Sequence, residues 1–509
     1  MTGRSATRIP GSDAGHVAVA IIGAGFAGIG AALRLEQAGR EDFLVFERAG
    51  AIGGTWRDNI YPGIACDIPS HLYSYSFMPN PEWTRRFAPG AEIREYLERC
   101  VDAGGIRNQV RLRDALLGAT RDEANERWRL ETTSGSWTAD VLVLGAGRLT
   151  EPRIPTIPGL ETFQGPIMHS ARWDERADLA GKRVAVVGTG ASAIQLAPEV
   201  ARIAEVTVFQ RTAPWVLPRG DRVYTQDERT AFDADPTLID DVRQEAYLAG
   251  EALVPQRLGD LDALDWAQAR ALAHLHAQVP DPALRSALMP DYEIGCKRAV
   301  FSDDYYPAIA SGRIELEPSA LAAVRSDGLV AASGREISAD AIVFATGFHS
   351  TRQPYAGLVH GIGGTTLAEH WADGMTSVAS TMVAGFPDLF ILDGPNASLG
   401  HNSSILMIEA QLDYLLDALR HRDRTAHSLT PTAEAEATYT RMIDEAAAET
   451  VWLTGGCRSW YVDERSGRLT LLWPDTVTAF RERGAAFDPE AFEAPRYHRD
   501  TVSAPSHGV

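Results

Sequence analysis

The chain has 509 residues, 45% of them hydrophobic and 23% charged, a composition that belongs to a soluble globular protein of two or three domains and excludes a disordered or fibrous one. Against 68 Asp and Glu stand 48 Lys and Arg, a net charge of −20, which argues against nucleic acid or an anionic membrane as partners and leaves room for one local basic pocket around a phosphate. Glycine is abundant at 45 residues, and the positions of the glycines decide whether they mark tight turns or loose loops.

Residues 1 to 15 read as a mobile leader. The uncharged stretch Val17 to Leu33 has nearly the length of a membrane span, but it holds four glycines and runs into a polar turn and a second apolar strand. It therefore predicts a buried βαβ unit: a strand at Val17 to Ile22, a glycine turn, a helix, and a strand at Leu44 to Phe46. WRLETTSGSWTADVLVLGAG, at 128–147, predicts a hairpin feeding back into a buried strand, and residues 1–150 form the first part of one nucleotide-binding domain. The Pro-rich EPRIPTIPG is a linker. GKRVAVVGTGASAIQLAPEVARIAEVTVFQRT, at 181–212, repeats the first pattern and assigns 151–220 to a second such domain. Residues 221–293, rich in Ala, Asp and Leu, predict a helical insertion packed on that second domain. Residues 294–350, with the matching piece LVAASGREISADAIVFATGF, complete the second domain; 351–509 complete the first and end in a frayed tail from about Tyr497. The predicted fold class is α/β, with two Rossmann-like dinucleotide-binding domains, each discontinuous, and a helical insertion. Cys66, Cys100, Cys296 and Cys457 lie far apart, without a CxxC pair or a Cys/His cluster, which reads as reduced cysteines in the cytoplasm and no metal. His274 and His276 cannot face one side of a helix together, so they form no metal site.

In the first unit Gly23, Gly25 and Gly28 form GxGxxG at the start of a helix, which suits close approach of a pyrophosphate to the helix N-terminus. Glu47 ends the second strand, where a carboxylate accepts hydrogen bonds from ribose hydroxyls and repels a 2′-phosphate. The second unit carries Gly188-Thr189-Gly190-Ala191-Ser192 with Ala193 in the third position, and its second strand ends in Arg211 and Thr212. An arginine there suits a 2′-phosphate, so this site favours NADP(H); the plain alternative is a surface arginine on a degenerate repeat. One site with an acid and one with an arginine is the arrangement of a flavoprotein holding FAD as prosthetic group and NADPH as hydride donor.

The residues resemble those of the type I Baeyer–Villiger monooxygenases. FQGPIMHSARWD, Phe163 to Asp174, fits the pattern FxGxxxHxxxW followed by Pro or Asp, and Trp173 stands where the related N/S-oxygenating enzymes carry Phe or Tyr. GGTWRDNIYPGIACD, Gly53 to Asp67, is similar to a second family signature, with Asp58 at a position that is often aromatic; DAIVFATGF from Asp340 matches a third. The resemblance spans about Val17 to Trp473. It implies NADPH- and O2-dependent conversion of a ketone to an ester or lactone, with Gly54, Thr55, Trp56, Asp67 and Tyr73 lining the flavin, and Gln195, Lys297, Arg211 and Thr212 on the NADPH side. It further implies that Arg298, aided by Asp67, stabilises a flavin C4a-peroxide and the adduct it forms. Trp460 matches an aromatic residue of a C-terminal segment that closes over the nicotinamide cofactor, and His169 and Trp173 couple domain movement to turnover.

Each assignment has a plainer rival. Arg298 can serve as an interdomain salt bridge, Asp67 as a turn residue after YPG, and Trp460 as core. His401 in GPNASLGHNSS reads as structural. Two rival functions are S- or N-oxygenation and a redox-sensing or binding flavoprotein without oxygenase chemistry.

Overall fold

The computed structural model describes residues 15–484 and 487–494. The leader and tail expected at the two ends lie outside these residues, apart from Gly15, which opens the first strand.

Strand β1 (Gly15–Ile22) passes through the turn at Gly23 into helix α1 (Phe26–Gln37) and strand β2 (Phe43–Glu47). The long apolar run is thus a strand and a helix that adjoin, and among the described residues no helix is long and apolar enough to cross a membrane. Helices α2 (Thr55–Asp58) and α3 (Gly90–Ala103) precede strands β3 (Val110–Leu112), β4 (Leu116–Asp122), β5 (Arg127–Thr132) and β6 (Gly135–Leu144). The first half of β6 forms the expected hairpin with β5, while Trp137 to Leu144 lies parallel to β1. Because β1 is flanked by β2 and β6 and covered on both faces, it needs the unbroken apolar sequence that made it legible.

The second unit comprises β7 (Ile167–His169), β8 (Arg183–Val187), α4 (Ala191–Val200), β9 (Glu205–Phe209) and the short β10 (Val216–Leu217). Five helices follow: α5 (Gln226–Ala234), α6 (Thr237–Glu251), α7 (Val254–Arg257), α8 (Leu261–Gln278) and α9 (Pro282–Ala287). Then come β11 (Val300–Phe301), α10 (Tyr305–Ala310), β12 (Ile314–Glu317), β13 (Leu321–Val324), β14 (Gly328–Ala331), β15 (Glu336–Ser338) and β16 (Ala341–Phe344). The chain closes through β17 (Val359–His360), α11 (Leu367–His370), β18 (Leu389–Ile391) and α12 (Ser404–Thr425).

These strands build an eight-stranded sheet, β17-β4-β5-β6-β1-β2-β3 with β18 also on β6, and a five-stranded parallel sheet, β12-β9-β8-β16-β7. The molecule is therefore an α/β protein with two Rossmann-like sheets, and the chain returns to the first sheet through β17 and β18. Helix α1 is buried from Phe26 to Leu33 between its sheet and α12, whose Leu412 lies against Gly30; each aliphatic side chain buried there contributes about 2 kcal/mol. In the second unit the hairpin and the return strand are separate. β13, β14 and β15 form their own antiparallel sheet, and the chain breaks at Asp340, whose carboxylate accepts from the Arg183 backbone N–H and guanidinium at 2.7–3.0 Å and aligns β16 with β8.

Two expectations are corrected. The helical insertion does not pack on the second unit alone: Phe232 and Ile239 join the core beneath α1, Leu264 and Ala271 join the opposite face of the first sheet, and Leu275 and Leu288 join the second unit. The cysteines are not all free. Cys296 and Cys457, 161 residues apart, form a disulfide with Cα atoms 6.1 Å apart, while Cys66 and Cys100 are buried thiols. Spacing rules detect only cysteines close in sequence, and this pair meets because segment 293–298 runs beside segment 455–461. Among the described residues no group of three His, Cys, Asp or Glu is placed to share a metal ion. His274 is buried against the Ser302 carbonyl at 3.0 Å, and His276 is exposed.

Candidate active site

Both glycine turns have the shape that a phosphate needs. Gly23 has φ +100°, and a Cβ on Gly28 would lie 1.8 Å from the Gly23 carbonyl oxygen, so both positions exclude a side chain. Gly25 caps α1 without any side-chain hydrogen bond, and the first turn of α1 carries no acid, which leaves its N–H groups for an anion. Gly54 folds over Gly25, where a Cβ would lie 2.9 Å from the Gly25 Cα. In the second turn Gly188 has φ +120°, Gly190 faces open space at the start of α4, and Ala193 is buried. Thr189 donates to the Thr212 carbonyl at 3.0 Å, tying the turn to the end of β9.

Glu47 differs from the free carboxylate expected. It is 4% exposed and accepts from Ala24 N, Ala49 N and Arg57 Nη1, each at 2.8 Å. With roughly four acceptor positions on a carboxylate, about one is left for a ribose hydroxyl, and Arg57 offsets the charge that was to repel a 2′-phosphate. Asp58, which departs from the family pattern, holds the other side of Arg57 at 2.8 Å. Thr55 starts α2, and Trp56 donates to the Tyr73 hydroxyl at 3.2 Å. Phe26, Trp56 and Tyr73 make edge-to-face ring contacts at 5.2 and 5.5 Å, forming an aromatic wall beside the first turn.

Asp67 and Arg298 meet across the two units. Arg298 donates through Nε and Nη2 to both carboxylate oxygens at 2.7–3.2 Å, and the Asp67 charge holds the guanidinium above its ordinary pKa. Asp67 engages one edge of the fork, so the Nη1 hydrogens point elsewhere. The side chains are 31% and 18% exposed, which keeps the pair accessible. Residues of the second unit fix the segment before Asp67: Gln195 donates to the Ala65 carbonyl at 3.0 Å and Arg219 to the Cys66 carbonyl at 2.9 Å. Gln195 also accepts from Tyr61 at 3.1 Å, and Tyr61 contacts Ser192. Gly63 packs so tightly on α4 that a Cβ would lie 2.8 Å from the Gln195 carbonyl. The salt-bridge reading of Arg298 and the anion-binding reading thus coexist in one geometry.

Lys297 lies over the Tyr292 ring at 4.6 Å, and burial, with the nearby charge of Arg211, lowers its pKa. Arg211 is exposed, Thr212 is half-buried, and Ala191 begins α4. Trp460 is 38% exposed, not core, and its ring lies tilted against that of Tyr461 at 4.3 Å. Tyr461 is buried beside Arg298, and neither its type nor its spacing marked it in advance; its adjacency to Trp460 was the available signal. Also missed were Arg219 and the buried Arg148–Asp393 pair, close to Tyr73. His401 is buried 3.3 Å from Glu251.

Two family signatures prove to be one contact. A Cβ on Gly165 would lie 2.1 Å from the Asp340 carbonyl, His169 is the register partner of Phe344, and the His169 ring meets Phe348 edge-on at 5.7 Å. Trp173 packs on the core of the second unit. Burial lowers the pKa of both His169 and His71 to about 4. Below pH 6.5 the unfolded chain takes up protons that the folded chain refuses until about pH 4, so these groups cost stability as pH falls through that window. Thermal unfolding should show a declining Tm from pH 6.5 to 4, and His169→Asn should make the decline shallower; an identical slope would remove His169 from the account.

A family model described as flavin-binding monooxygenase-like matches residues 16–356. A Baeyer–Villiger monooxygenase of Streptomyces coelicolor is 47% identical, covering 94% of this chain and 93% of the relative. One from Pseudomonas aeruginosa is 43% identical over 94% of this chain and 91% of its own length. Among solved structures, an oxidised steroid monooxygenase bound to NADP is similar at TM-score 0.80 and 30% identity, covering 92% of this chain and 97% of that one. A cyclohexanone monooxygenase from Rhodococcus sp. Phi1 bound to NADP+ is similar at TM-score 0.83 and 27% identity, covering 93% and 97%.

Proposed function

This chain belongs to the Baeyer–Villiger branch of the flavin-binding monooxygenase-like family, and on that premise we propose that it is an FAD-dependent enzyme that converts a ketone, NADPH, a proton and O2 into an ester or lactone, NADP+ and water. The observation that carries the reading is the Asp67–Arg298 pair, accessible and held from both units. Bound FAD supplies electron transfer from NADPH and activation of O2.

The chain's own residues do the rest. The α1 N-terminus, with Gly23, Gly25, Gly28 and Gly54, takes the FAD pyrophosphate, and the free acceptor position of Glu47 takes a ribose hydroxyl. Thr55, Trp56, Tyr73 and Asp67 would line the flavin ring system. Gly188, Thr189, Gly190, Ala191 and Ser192 take the NADPH pyrophosphate. Gln195 holds the loop of Asp67 against that site, and Trp460 shields it. Arg211, Thr212 and Lys297 would surround the 2′-phosphate; two neighbouring cations, neither in an ion pair among the described residues, suit a doubly charged group. Arg298 offers its Nη1 edge to the carbonyl oxygen of the ketone, which gains negative charge when the carbonyl carbon is attacked. His169 and Trp173 join the linker to the second sheet and transmit relative movement. We place the reaction in the cytoplasm, where NADPH is regenerated, without membrane insertion or nucleic acid.

A panel of linear, cyclic, aryl and polycyclic ketones with one thioether tests the reading. Ester or lactone formed in step with NADPH consumption is the expected result. Sulfoxide without ester would turn the assignment to S-oxygenation, and no substrate-stimulated NADPH consumption would turn it to a non-oxygenating flavoprotein. Arg211→Ala should raise KM for NADPH about 10- to 100-fold, the loss of one charged hydrogen bond, while KM for NADH and kcat stay nearly level. An unchanged KM for NADPH in steady-state assays would take Arg211 out of the site.

A further inference from the structure

The segment carrying Arg298 and the segment carrying Trp460 run side by side and are joined three times. Glu293 N donates to the Gly455 carbonyl at 3.0 Å. A Cβ on Gly455 would lie 2.8 Å from the Cys296 Cβ, so only glycine allows the approach. Cys296 is bonded to Cys457. In sequence the disulfide stands two positions before Arg298 and four before Tyr461. Tyr461 is 1% exposed, its ring lies 6.5 Å from Trp452 and 4.3 Å from Trp460, and it shares one buried core with Cys296 and Ala299, the residues on either side of Lys297 and Arg298, which sets its hydroxyl beside the guanidinium. The buried Arg257 is a second cation nearby, and its hydrogen bond goes to the Gly400 carbonyl at 3.1 Å.

An arginine held by one carboxylate edge can still pivot about that edge, because four side-chain torsions are free to compensate. A second acceptor sets the plane, provided the acceptor is itself held. Tyr461 sits on a connecting segment, and the disulfide leaves only a short span between the covalent link and the hydroxyl.

We propose that Tyr461 is a positioning residue for Arg298 and that the Cys296–Cys457 disulfide braces it there. The proposal rests on the role read above for Arg298. In a reducing compartment such a bond forms and breaks with the redox poise, so the brace is redox-sensitive. A dithiol reductant cleaves the S–S bond by giving two electrons and two protons, leaving thiols at Cys296 and Cys457 and a cyclic disulfide in the reductant. Re-formation passes two electrons and two protons to hydrogen peroxide, which leaves as two waters.

Peptide mapping of the holoenzyme equilibrated with oxidised glutathione should recover Cys296 and Cys457 as one crosslinked pair; two separate thiols would overturn the brace. Reduction with a dithiol, or Cys457→Ser, should speed trypsin cleavage at the exposed Arg458 at least fivefold, and an unchanged rate would also overturn it. Tyr461→Phe should keep the disulfide and the KM for NADPH, yet form ester per NADPH about three- to tenfold less efficiently, with peroxide making up the difference. Phenylglyoxal should modify Arg298 severalfold faster in Tyr461→Phe, as mapped by mass. Wild-type coupling together with a wild-type modification rate would overturn the positioning role. If the unaltered enzyme makes no ester from any ketone, the activity reading fails by itself, while the peptide map, the cleavage rate and the arginine modification still decide this proposal.

Discussion

Arg298→Ala should fold, hold FAD and accept electrons from NADPH, yet form ester about 100- to 1000-fold more slowly, with the consumed NADPH appearing as hydrogen peroxide. The magnitude is that of removing one oriented donor from a developing oxyanion, and the geometry gives reasons to expect its upper end. Asp67 is held by its neighbours, not by Arg298 alone: Gln195 and Arg219 fix the two carbonyls before it. The truncated enzyme would therefore keep an uncompensated carboxylate beside the carbonyl oxygen that must gain negative charge, and repulsion would add to the lost donor. Arg298→Lys should not restore the rate, because an ammonium cannot bond Asp67 along one edge and present donors along another. Asp67→Ala should be milder, since the charge of Arg298 persists and only its orientation loosens. Separate measurement of ester, NADPH and peroxide distinguishes these outcomes, and normal ester formation in Arg298→Ala would remove the residue from the chemistry.

Gly28→Ala should yield little soluble protein and no flavin absorbance, whereas Gly190→Ala should fold and keep its flavin. Adding one methyl has opposite consequences because the two glycines serve different needs. At Gly28 the new Cβ would lie 1.8 Å from the Gly23 oxygen, and Gly23 cannot retreat: its own Cβ direction points at the Gly145 oxygen, 2.6 Å away. Gly145 in turn would place a Cβ 2.7 Å from Gly28 N. Three backbones interlock, so the clash falls on main chain and costs about 3 kcal/mol or more. At Gly190 nothing lies within 4 Å of the added Cβ, and the backbone is at φ −77°, ψ −174°, which any residue adopts. That methyl meets only an approaching phosphate, so KM for NADPH should rise about tenfold while Tm holds. Flavin absorbance relative to protein absorbance, Tm and KM for NADPH check the pair. A Gly28→Ala protein with full flavin, or a Gly190→Ala protein with a much reduced Tm, would contradict the account.

Local rules carried far in this chain. The two βαβ units, their glycine turns, the hairpin at β5 and β6, the helical insertion and the return to the first sheet were legible because strand alternation, helix period and the conformational demand for glycine act over a few residues. The family resemblance placed Asp67 and Arg298 on the candidate list and set Phe163, Gly165 and His169 in one signature, although it did not say why those residue types stand there. The answer for Gly165 is the Asp340 carbonyl, 2.1 Å from where a Cβ would stand.

What the tertiary structure alone decided is which distant groups share a space. The Asp67–Arg298 pair, implied by the resemblance, takes its two-oxygen geometry only across 231 residues of folded chain, and Cys296 finds Cys457 across 161. Arg57 reaches back to Glu47 and offsets the charge that sequence reasoning treated as free. Tyr461 stands beside Arg298, and the insertion lies on both units where one was expected. In each case the sequence determined the chemistry of the side chain. Its partner depended on the path of the whole chain, because a contact between remote segments follows from how the sheets and loops pack, and packing leaves no period or spacing to read.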